Sequence, residues 1–228
     1  MKTFFDRLKI YAIGFGIGMV FVFFFFQNRG CSWLPDNRVK NSILDRVIVV
    51  QSDVELQLKK KGINQKEIVA LLNDGDVDFS KSKKDGQFKI YLVSKDKLKL
   101  FFTLPNESFI SEVRLANVAV NSVKNSIKGT GKLIHFPKDD ELVFADTTKL
   151  VTCQQQAFGM IENRKILKSL KKQGLIDFEK SDFNIKPKAL QYLFFKDKKG
   201  RKIGASAVWY KNKISIDHFD LPFETDCQ

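Results

Sequence analysis

Two helix starts lie close together in the stretch SDVELQLKKKGINQKEIVALLNDG, residues 52–75. Ser52 and Glu55 match the pattern of one capping box, and Asn64 and Glu67 match that of another. In such a box the first side chain accepts a hydrogen bond from a free N–H of the helix start, and the glutamate returns one to the cap. Gly62 separates the two helices, since glycine readily takes the left-handed conformation that ends a helix. The stretch therefore predicts two consecutive short helices.

Strand-like runs surround these helices. A β-branched run at residues 47–50 precedes them, and aromatic and β-branched runs follow at residues 88–93, 98–104 and 109–115. Gly86 and Pro105 punctuate the later runs. The pattern predicts a first α+β domain over residues 42–120, with one strand, two helices and an antiparallel β-meander.

The second half predicts a similar arrangement. Residues 121–131 are polar and predict a linker, and residues 132–228 predict a second α+β domain. Its predicted strands are residues 132–136, 142–145, 190–195, 202–210 and 213–219, and its predicted helix runs from Thr152 through about residue 172 and stops at Gly174.

The two halves also share short stretches of sequence. FKIYLV resembles LQYLFF, FISEVRL resembles ISIDHFDL, and LQLKKKGI resembles LKSLKKQGL. Internal duplication is one interpretation of these matches, and chance recurrence of helix-cap chemistry is the other.

An uncharged, apolar run occupies residues 10–26, IYAIGFGIGMVFVFFFF. Its length matches the lower limit of about 17 residues for a membrane-crossing helix, so it predicts a single transmembrane helix. A cleaved signal peptide and a lipoprotein lipidated at Cys31 are the alternatives. Residues 1–9 are predicted to be cytoplasmic and the C-terminal domains periplasmic, at a bacterial inner membrane. The reverse orientation stays open because basic residues flank both ends of the run.

Three residues near this run are candidates for membrane contacts. Gly14 and Gly18 form a G-x-x-x-G pair on one helix face and predict close packing against another helix, although glycine is also common in membrane helices. Residues 27–41 predict a juxtamembrane linker. Trp33 in that linker is a candidate interface anchor, or else it packs on the first domain.

Residues 52–115 resemble an uncharacterised domain family of unknown function that is distantly related to the RelE and BrnT small toxins. The matching features are Lys61-Gly62-Ile63, the helix at residues 68–72, Asn73-Asp74-Gly75 and the strands after Gly86. The resemblance implies a toxin-like α+β fold. The family opens its first helix with a histidine and carries an arginine one turn later, whereas Asp53 and Gln57 occupy those places here. The resemblance therefore implies a catalytically degenerate domain.

The sequence predicts no catalytic, cofactor or metal site. The acidic run at residues 74–78 lacks the glycine and glutamate that a calcium loop needs, so it is interpreted as a helix end. His135 and His218 have no nearby Cys or His and are interpreted as surface or packing residues. Cys153 and Cys227 are candidates for a disulfide in an oxidising compartment, with two free thiols as the alternative.

The chain is basic, with a formal net charge of +13. This charge favours acidic partners. The candidate basic surface consists of lysines that follow one another in the sequence, namely Lys59, Lys60, Lys61, Lys171 and Lys172. Such lysines often only solvate a surface. Attraction to anionic lipid headgroups is the functional interpretation, and nucleic acid is a weaker candidate because arginine is scarce beside lysine.

Together these features predict an α+β protein with one N-terminal transmembrane helix and two small α+β units. The predicted function is a membrane-anchored, non-enzymatic binding or scaffolding protein, an accessory subunit of a bacterial cell-envelope complex. Its predicted partners are the membrane and integral membrane proteins, or a second copy through the transmembrane helix. The alternative is a membrane-tethered RNA-binding protein or ribonuclease of toxin-like fold that faces the cytoplasm.

Overall fold

The computed structural model describes residues 2–27, 34–86, 88–106, 108–138, 140–210 and 212–227, with the side chains of the first helix described over residues 7–23. The chain divides into two compact units, Met1–Asn41 and Ser42–Gln228. Helix α1 (Lys2–Gln27) lies in the first unit. Helix α2 (Pro35–Leu44) begins in the first unit and ends in the second.

The described part of α1 corrects the membrane prediction. Among the described residues, no helix is long and apolar enough to span a membrane. This finding overturns the predicted transmembrane helix over residues 10–26 and the predicted single-pass inner-membrane localisation with periplasmic domains.

The second unit is built on eleven strands and four complete helices among its described residues. In chain order these elements are β1 (Val47–Gln51), α3 (Ser52–Lys60), α4 (Gln65–Asp74), β2 (Asp76–Lys83), β3 (Phe88–Lys95), β4 (Leu98–Pro105), β5 (Ile110–Leu115), a 3₁₀ turn (Val120–Ser122), β6 (Thr130–His135), β7 (Val143–Ala145), α5 (Lys149–Phe158), α6 (Asn163–Gln173), β8 (Leu175–Asp182), β9 (Leu190–Lys196), β10 (Lys202–Tyr210) and β11 (Lys213–Asp220).

All eleven strands form one mixed sheet in the order β2-β3-β4-β5-β1-β6-β8-β9-β10-β11-β7. The predicted fold class, with two separate small α+β units, is therefore wrong. Strand β6 joins the halves because it pairs antiparallel with both β1 and β8, which satisfies backbone groups that two separate sheets would leave at open edges. Two strand pairs are parallel, β1 with β5 and β7 with β11.

The sheet contains the same motif twice. Repeat 1 (residues 47–115) and repeat 2 (residues 143–220) each run strand, helix, helix and then four meandering strands, and in each the first strand pairs parallel with the last. The matches of FKIYLV with LQYLFF and of FISEVRL with ISIDHFDL fall on equivalent strands. The match of LQLKKKGI with LKSLKKQGL does not, because it pairs the first helix of repeat 1 with the second helix of repeat 2.

Local hydrogen bonds repeat along with the elements. Asp78 Oδ1 accepts from the backbone N–H groups of Ser80 and Lys81, and Asp177 Oδ1 accepts from those of Glu179 and Lys180. Each aspartate therefore fixes the same bulge in the first meander strand of its repeat.

The two helix pairs cover opposite faces of the sheet. Leu133 of β6 packs in the buried core that α5 and α6 share with the strands of repeat 2. Its neighbours Lys132 and Ile134 line a pocket with α3 and α4. Adjacent residues of a strand point to opposite faces, so repeat 2 is turned over relative to repeat 1.

The connector, defined here as residues 116–129, covers the face of repeat 1 that α3 and α4 leave open. Its Val123 is buried against Ile90, Leu92 and Phe101, and Ala116 and Val120 pack on the same cluster. These contacts place the connector beside the end of β5 and the start of α3.

Candidate binding site at the connector

A buried ion pair at the end of β5 anchors the connector. Glu112 is only 3% exposed, and its Oε1 lies 2.8 Å from Nη2 of Arg114, two residues along the strand. The Ser126 backbone N–H donates to Glu112 Oε2 at 2.9 Å, and the Ser126 hydroxyl donates to Glu112 Oε1. Arg114 also donates from Nη1 to Gln51 Oε1 at 2.8 Å. The pair therefore ties β1, β5 and the connector together.

The buried position of Glu112 affects the pKa of its carboxyl. Burial raises the pKa of its carboxyl above the ordinary value, while the charge of Arg114 and the hydrogen bonds from Ser126 act in the opposite direction. A buried carboxylate that lost these partners would be costly, so the network holds the connector in one conformation.

A pocket of about 320 Å³ opens beside this network. Its lining comes from α3, from the end of β5 and from the connector, and consists of Val54, Gln57, Arg114, Leu115, Asn117, Val118, Ser122, Val123, Lys124 and Asn125. We call it the connector pocket. Its polar groups are amides, a hydroxyl, a guanidinium and an ammonium, so it presents hydrogen-bond donors and acceptors without a carboxylate.

Two residues of this lining each have a buried polar atom with unused hydrogen-bonding capacity. Arg114 Nε and Asn125 Oδ1 are buried, and neither has a hydrogen-bond partner among the described residues. Buried polar atoms in native proteins are nearly always paired with protein, water or ligand. One free donor and one free acceptor at the same pocket are complementary to an amide group.

The equivalent glutamine of repeat 2 is already engaged. Gln154 occupies on α5 the place that Gln57 occupies on α3, and its amide donates to Phe219 O at 2.8 Å and accepts from Phe219 N at 3.0 Å. Gln57 instead lines the connector pocket. Beside burial, the negative charge of the nearby Asp53 on α3 raises the pKa of the Glu112 carboxyl.

Gly14 and Gly18, the predicted helix-packing residues, are not part of the lining of the connector pocket. Gly14 and Gly18 lie on α1, and no atom comes within 4 Å of a Cβ built at either position. Trp33 and Cys31 lie outside the described residues.

The predicted basic surface is split between two helices. Lys59, Lys60 and Lys61 are exposed at the end of α3, and Lys171 and Lys172 are exposed in the last turn of α6. Since α3 and α6 cover opposite faces of the sheet, these lysines do not form one patch.

The structure joins Cys153 and Cys227 by a disulfide with a Cα–Cα distance of 5.6 Å. The bond holds the C-terminal segment against α5. His135 Nε2 lies 3.1 Å from Leu44 O, and burial lowers the pKa of this histidine below its ordinary value. His218 lies beside Asp217 and Asp220 on β11.

Sequence reasoning missed the residues that build the connector pocket. Glu112 and Arg114 stand two apart in a strand-like run, which places both on one face of the sheet. That spacing was the available signal. Ser126, Asn125 and Gln51 gave none, because only the folded chain brings them to β5.

The part of the chain that the structure describes holds no group of three or more His, Cys, Asp or Glu side chains that could bind a metal ion. No family model, curated protein or solved structure matches the chain.

Proposed function

We propose that the unit formed by residues 42–228 is a binding module that holds an amide-bearing segment of a partner protein in the connector pocket. The observation that carries the proposal is that two residues lining one pocket, Arg114 and Asn125, each have a buried polar atom, Nε and Oδ1, without a hydrogen-bond partner among the described residues. A peptide carbonyl would accept from Nε, and a peptide N–H would donate to Oδ1.

The surroundings of the Glu112 carboxylate favour a binding role over a catalytic one. The Glu112 carboxylate is closed off from the pocket by Arg114 and Ser126, so it is not placed to exchange protons with a bound molecule. Asp53 and Gln57 also differ from the histidine and arginine of the domain family that residues 52–115 resemble. These features support a binding or scaffolding role over the ribonuclease alternative.

The experiment compares two variants that each remove one unpaired buried oxygen. Asn125→Leu removes the acceptor inside the pocket, and Ser111→Ala removes an equally unpaired hydroxyl that does not line it. N-acetylglycine N-methylamide is titrated into the full chain while the Ser126 and Asn125 amide signals are followed by NMR. Methyl acetate, which lacks the N–H, serves as the control ligand.

We expect saturable shifts with the diamide and about tenfold weaker binding in Asn125→Leu, since one hydrogen bond contributes about 1.4 kcal/mol or less. Ser111→Ala should bind as the wild type does. Equal binding by both variants, or equal shifts with methyl acetate, would contradict the proposal.

A further inference from the structure

A second pocket lies beneath the turn between α3 and α4. Its volume is about 390 Å³, and it is lined by Val50, Glu55, Leu58, Lys59, Gly62, Ile63, Asn64, Gln65, Ile68, Lys132 and Ile134. We call it the helix-turn pocket. It shares no lining residue with the connector pocket.

The wall of the helix-turn pocket is aliphatic. Val50 and Ile134 come from the adjacent strands β1 and β6, and Leu58, Ile63 and Ile68 come from the two helices and their turn. Four of these five side chains are 5% exposed or less. Protein interiors are close-packed, so a space of this size among such residues is the kind of apolar site that holds a small ligand.

The pocket is also held open by fixed backbone. Gly62 has a φ of +74°, and the Ile63 N–H donates to Leu58 O at 2.9 Å, which closes the end of α3. Asn64 and Glu67 form the capping box of α4, and the Gln65 side chain donates to Ile134 O across the pocket. A ligand would therefore enter a preformed space and would not have to order the turn.

The mouth of the pocket has an excess of positive charge. Lys59 Nζ and Lys132 Nζ lie 2.9 and 3.7 Å from the same oxygen of Glu55. Two ammonium groups share one carboxylate, which leaves one positive charge for an anion. An apolar interior and a cationic rim together suit a molecule with an aliphatic tail and an anionic head.

Among the described residues, repeat 2 has no equivalent of the strand that completes this pocket. Strand β6 supplies Lys132 and Ile134 beyond β1, whereas β7, the equivalent of β1, is the last strand of the sheet order. The pocket is therefore a product of joining the two repeats.

We propose that the helix-turn pocket binds an unesterified medium-chain aliphatic carboxylate. The tail lies against Val50, Leu58 and Ile134, and the carboxylate lies between Lys59 and Lys132 at the mouth. This site goes beyond the proposed peptide-binding function and does not depend on it.

Calorimetric titration of the full chain with straight-chain carboxylates of six to fourteen carbons, below their micelle concentrations, tests the proposal. Each added methylene should tighten binding about fourfold, as expected for about 0.8 kcal/mol per buried CH₂. The gain should stop once the tail fills the pocket. Decanol should bind at least about tenfold more weakly than decanoate, because it lacks the charge. Equal binding of the two, or no saturable binding along the series, would overturn the proposal.

Three variants test whether decanoate binds in the helix-turn pocket. Ile63→Trp fills the pocket from its partly exposed edge, and Lys132→Gln removes a rim charge; both should weaken decanoate binding. Lys61→Gln removes a neighbouring lysine that does not line the pocket, and it should have no effect. Equal behaviour of all three variants would overturn the assignment. Binding to vesicles of a dodecanoyl phospholipid but not to free dodecanoate would overturn it too, since the ligand would then be an esterified acyl chain.

Discussion

Repeat 1 and repeat 2 place four residues side by side on equivalent strands, facing away from their own helices. In register these are Asp78, Leu92, Phe101 and Arg114 in repeat 1, and Asp177, Tyr192, Ser206 and His218 in repeat 2. In repeat 1 the connector packs on the apolar Leu92 and Phe101 of this row, and Arg114 of the row pairs with the buried Glu112, two residues earlier on β5. In repeat 2 the row is polar.

Lysine side chains cover the open face of repeat 2, whereas the connector covers the open face of repeat 1. Lys180 Nζ lies 4.5 Å from the ring centre of Tyr192, and Lys202 Nζ lies 3.5 Å from that of Phe194. The lysine stems shield the rings while their ammonium groups stay in water. The motif itself therefore does not decide how its open face is covered. The chain that follows β5 covers the face in repeat 1, and lysines of strands β8 and β10 cover it in repeat 2.

The largest difference between the repeats should appear at equivalent positions on β5 and β11. Arg114→Ala leaves Glu112 buried without its counter-ion and should lower the free energy of unfolding by about 3–5 kcal/mol. His218→Ala should cost less than about 1 kcal/mol, since the side chain is 45% exposed. Urea unfolding followed by circular dichroism measures both. Similar losses would remove the contrast between the two rows.

The two repeats also differ in what holds the segment that follows their last strand. Repeat 1 continues into the connector, whereas the segment after β11 is held by the Cys153–Cys227 disulfide, 74 residues apart in sequence. Replacing both cysteines by serine should lower the free energy of unfolding by about 2–4 kcal/mol, because the unfolded chain loses a cross-link.

Thermal unfolding with and without dithiothreitol checks the disulfide effect. Reductant should destabilise the wild type and leave the double serine variant unchanged. A wild type that is insensitive to reductant would contradict this prediction.

Substitutions of Gly75 and Gly174 should lower the stability by similar amounts, because each glycine ends the second helix of its repeat. Each donates its N–H to a leucine carbonyl, Leu71 O at 2.8 Å and Leu170 O at 2.7 Å, and a Cβ at either glycine would lie 2.5 Å from that oxygen. Each Gly→Ala change should cost about 1–3 kcal/mol through this clash. Gly16→Ala in α1 is the control, because among the described residues no atom outside the adjoining backbone of its own helix lies within 4 Å of a Cβ built there. A loss at one site alone would show that the two helix ends are not equivalent.

Substitution of Tyr192 should cause a smaller loss in the free energy of unfolding, and this loss should depend on pH. Its hydroxyl donates to Asp220 Oδ2, whereas Leu92 at the equivalent position makes no such bond. Tyr192→Phe should cost about 1 kcal/mol at neutral pH. Burial and the bond to Asp220 raise the pKa of Tyr192, so the folded state holds the phenolic proton more tightly than the unfolded state does.

The contribution of this tyrosine is complete below the unfolded pKa of about 10 and is lost as the pH rises above it. The stability gap between wild type and Tyr192→Phe should therefore narrow between about pH 10 and 11. A gap that widens there would contradict the assignment.

Sequence reasoning found the strands whose apolar residues are consecutive and missed those held by side-chain bonds. The predicted runs at residues 88–93, 98–104 and 109–115 coincide closely with β3, β4 and β5. The first meander strands, β2 and β8, were missed in both repeats. They are rich in Asp, Lys and Ser, which favour strands poorly, and Asp78 and Asp177 fix their bulges.

Local sequence patterns also failed to predict one helix end and the long-range pairing of side chains and strands. One helix was predicted from Thr152 to about residue 172, but Gly159 has a φ of +77° and divides it into α5 and α6. The partners of Glu112 and Arg114 come from Gln51 and Ser126, which local spacing does not connect. The single sheet depends on β6, whose pairing with two halves is a property of the folded chain.

Hydrogen exchange at the Ser126 amide tests most directly whether the connector is a fixed wall of the site. This N–H donates to the buried Glu112 carboxylate at 2.9 Å, and Ser126 is only 4% exposed. The account predicts protection comparable to that of the β5 amides. Exchange at the rate of an unstructured peptide would show that residues 116–129 do not close the face of repeat 1, and it would contradict the connector pocket.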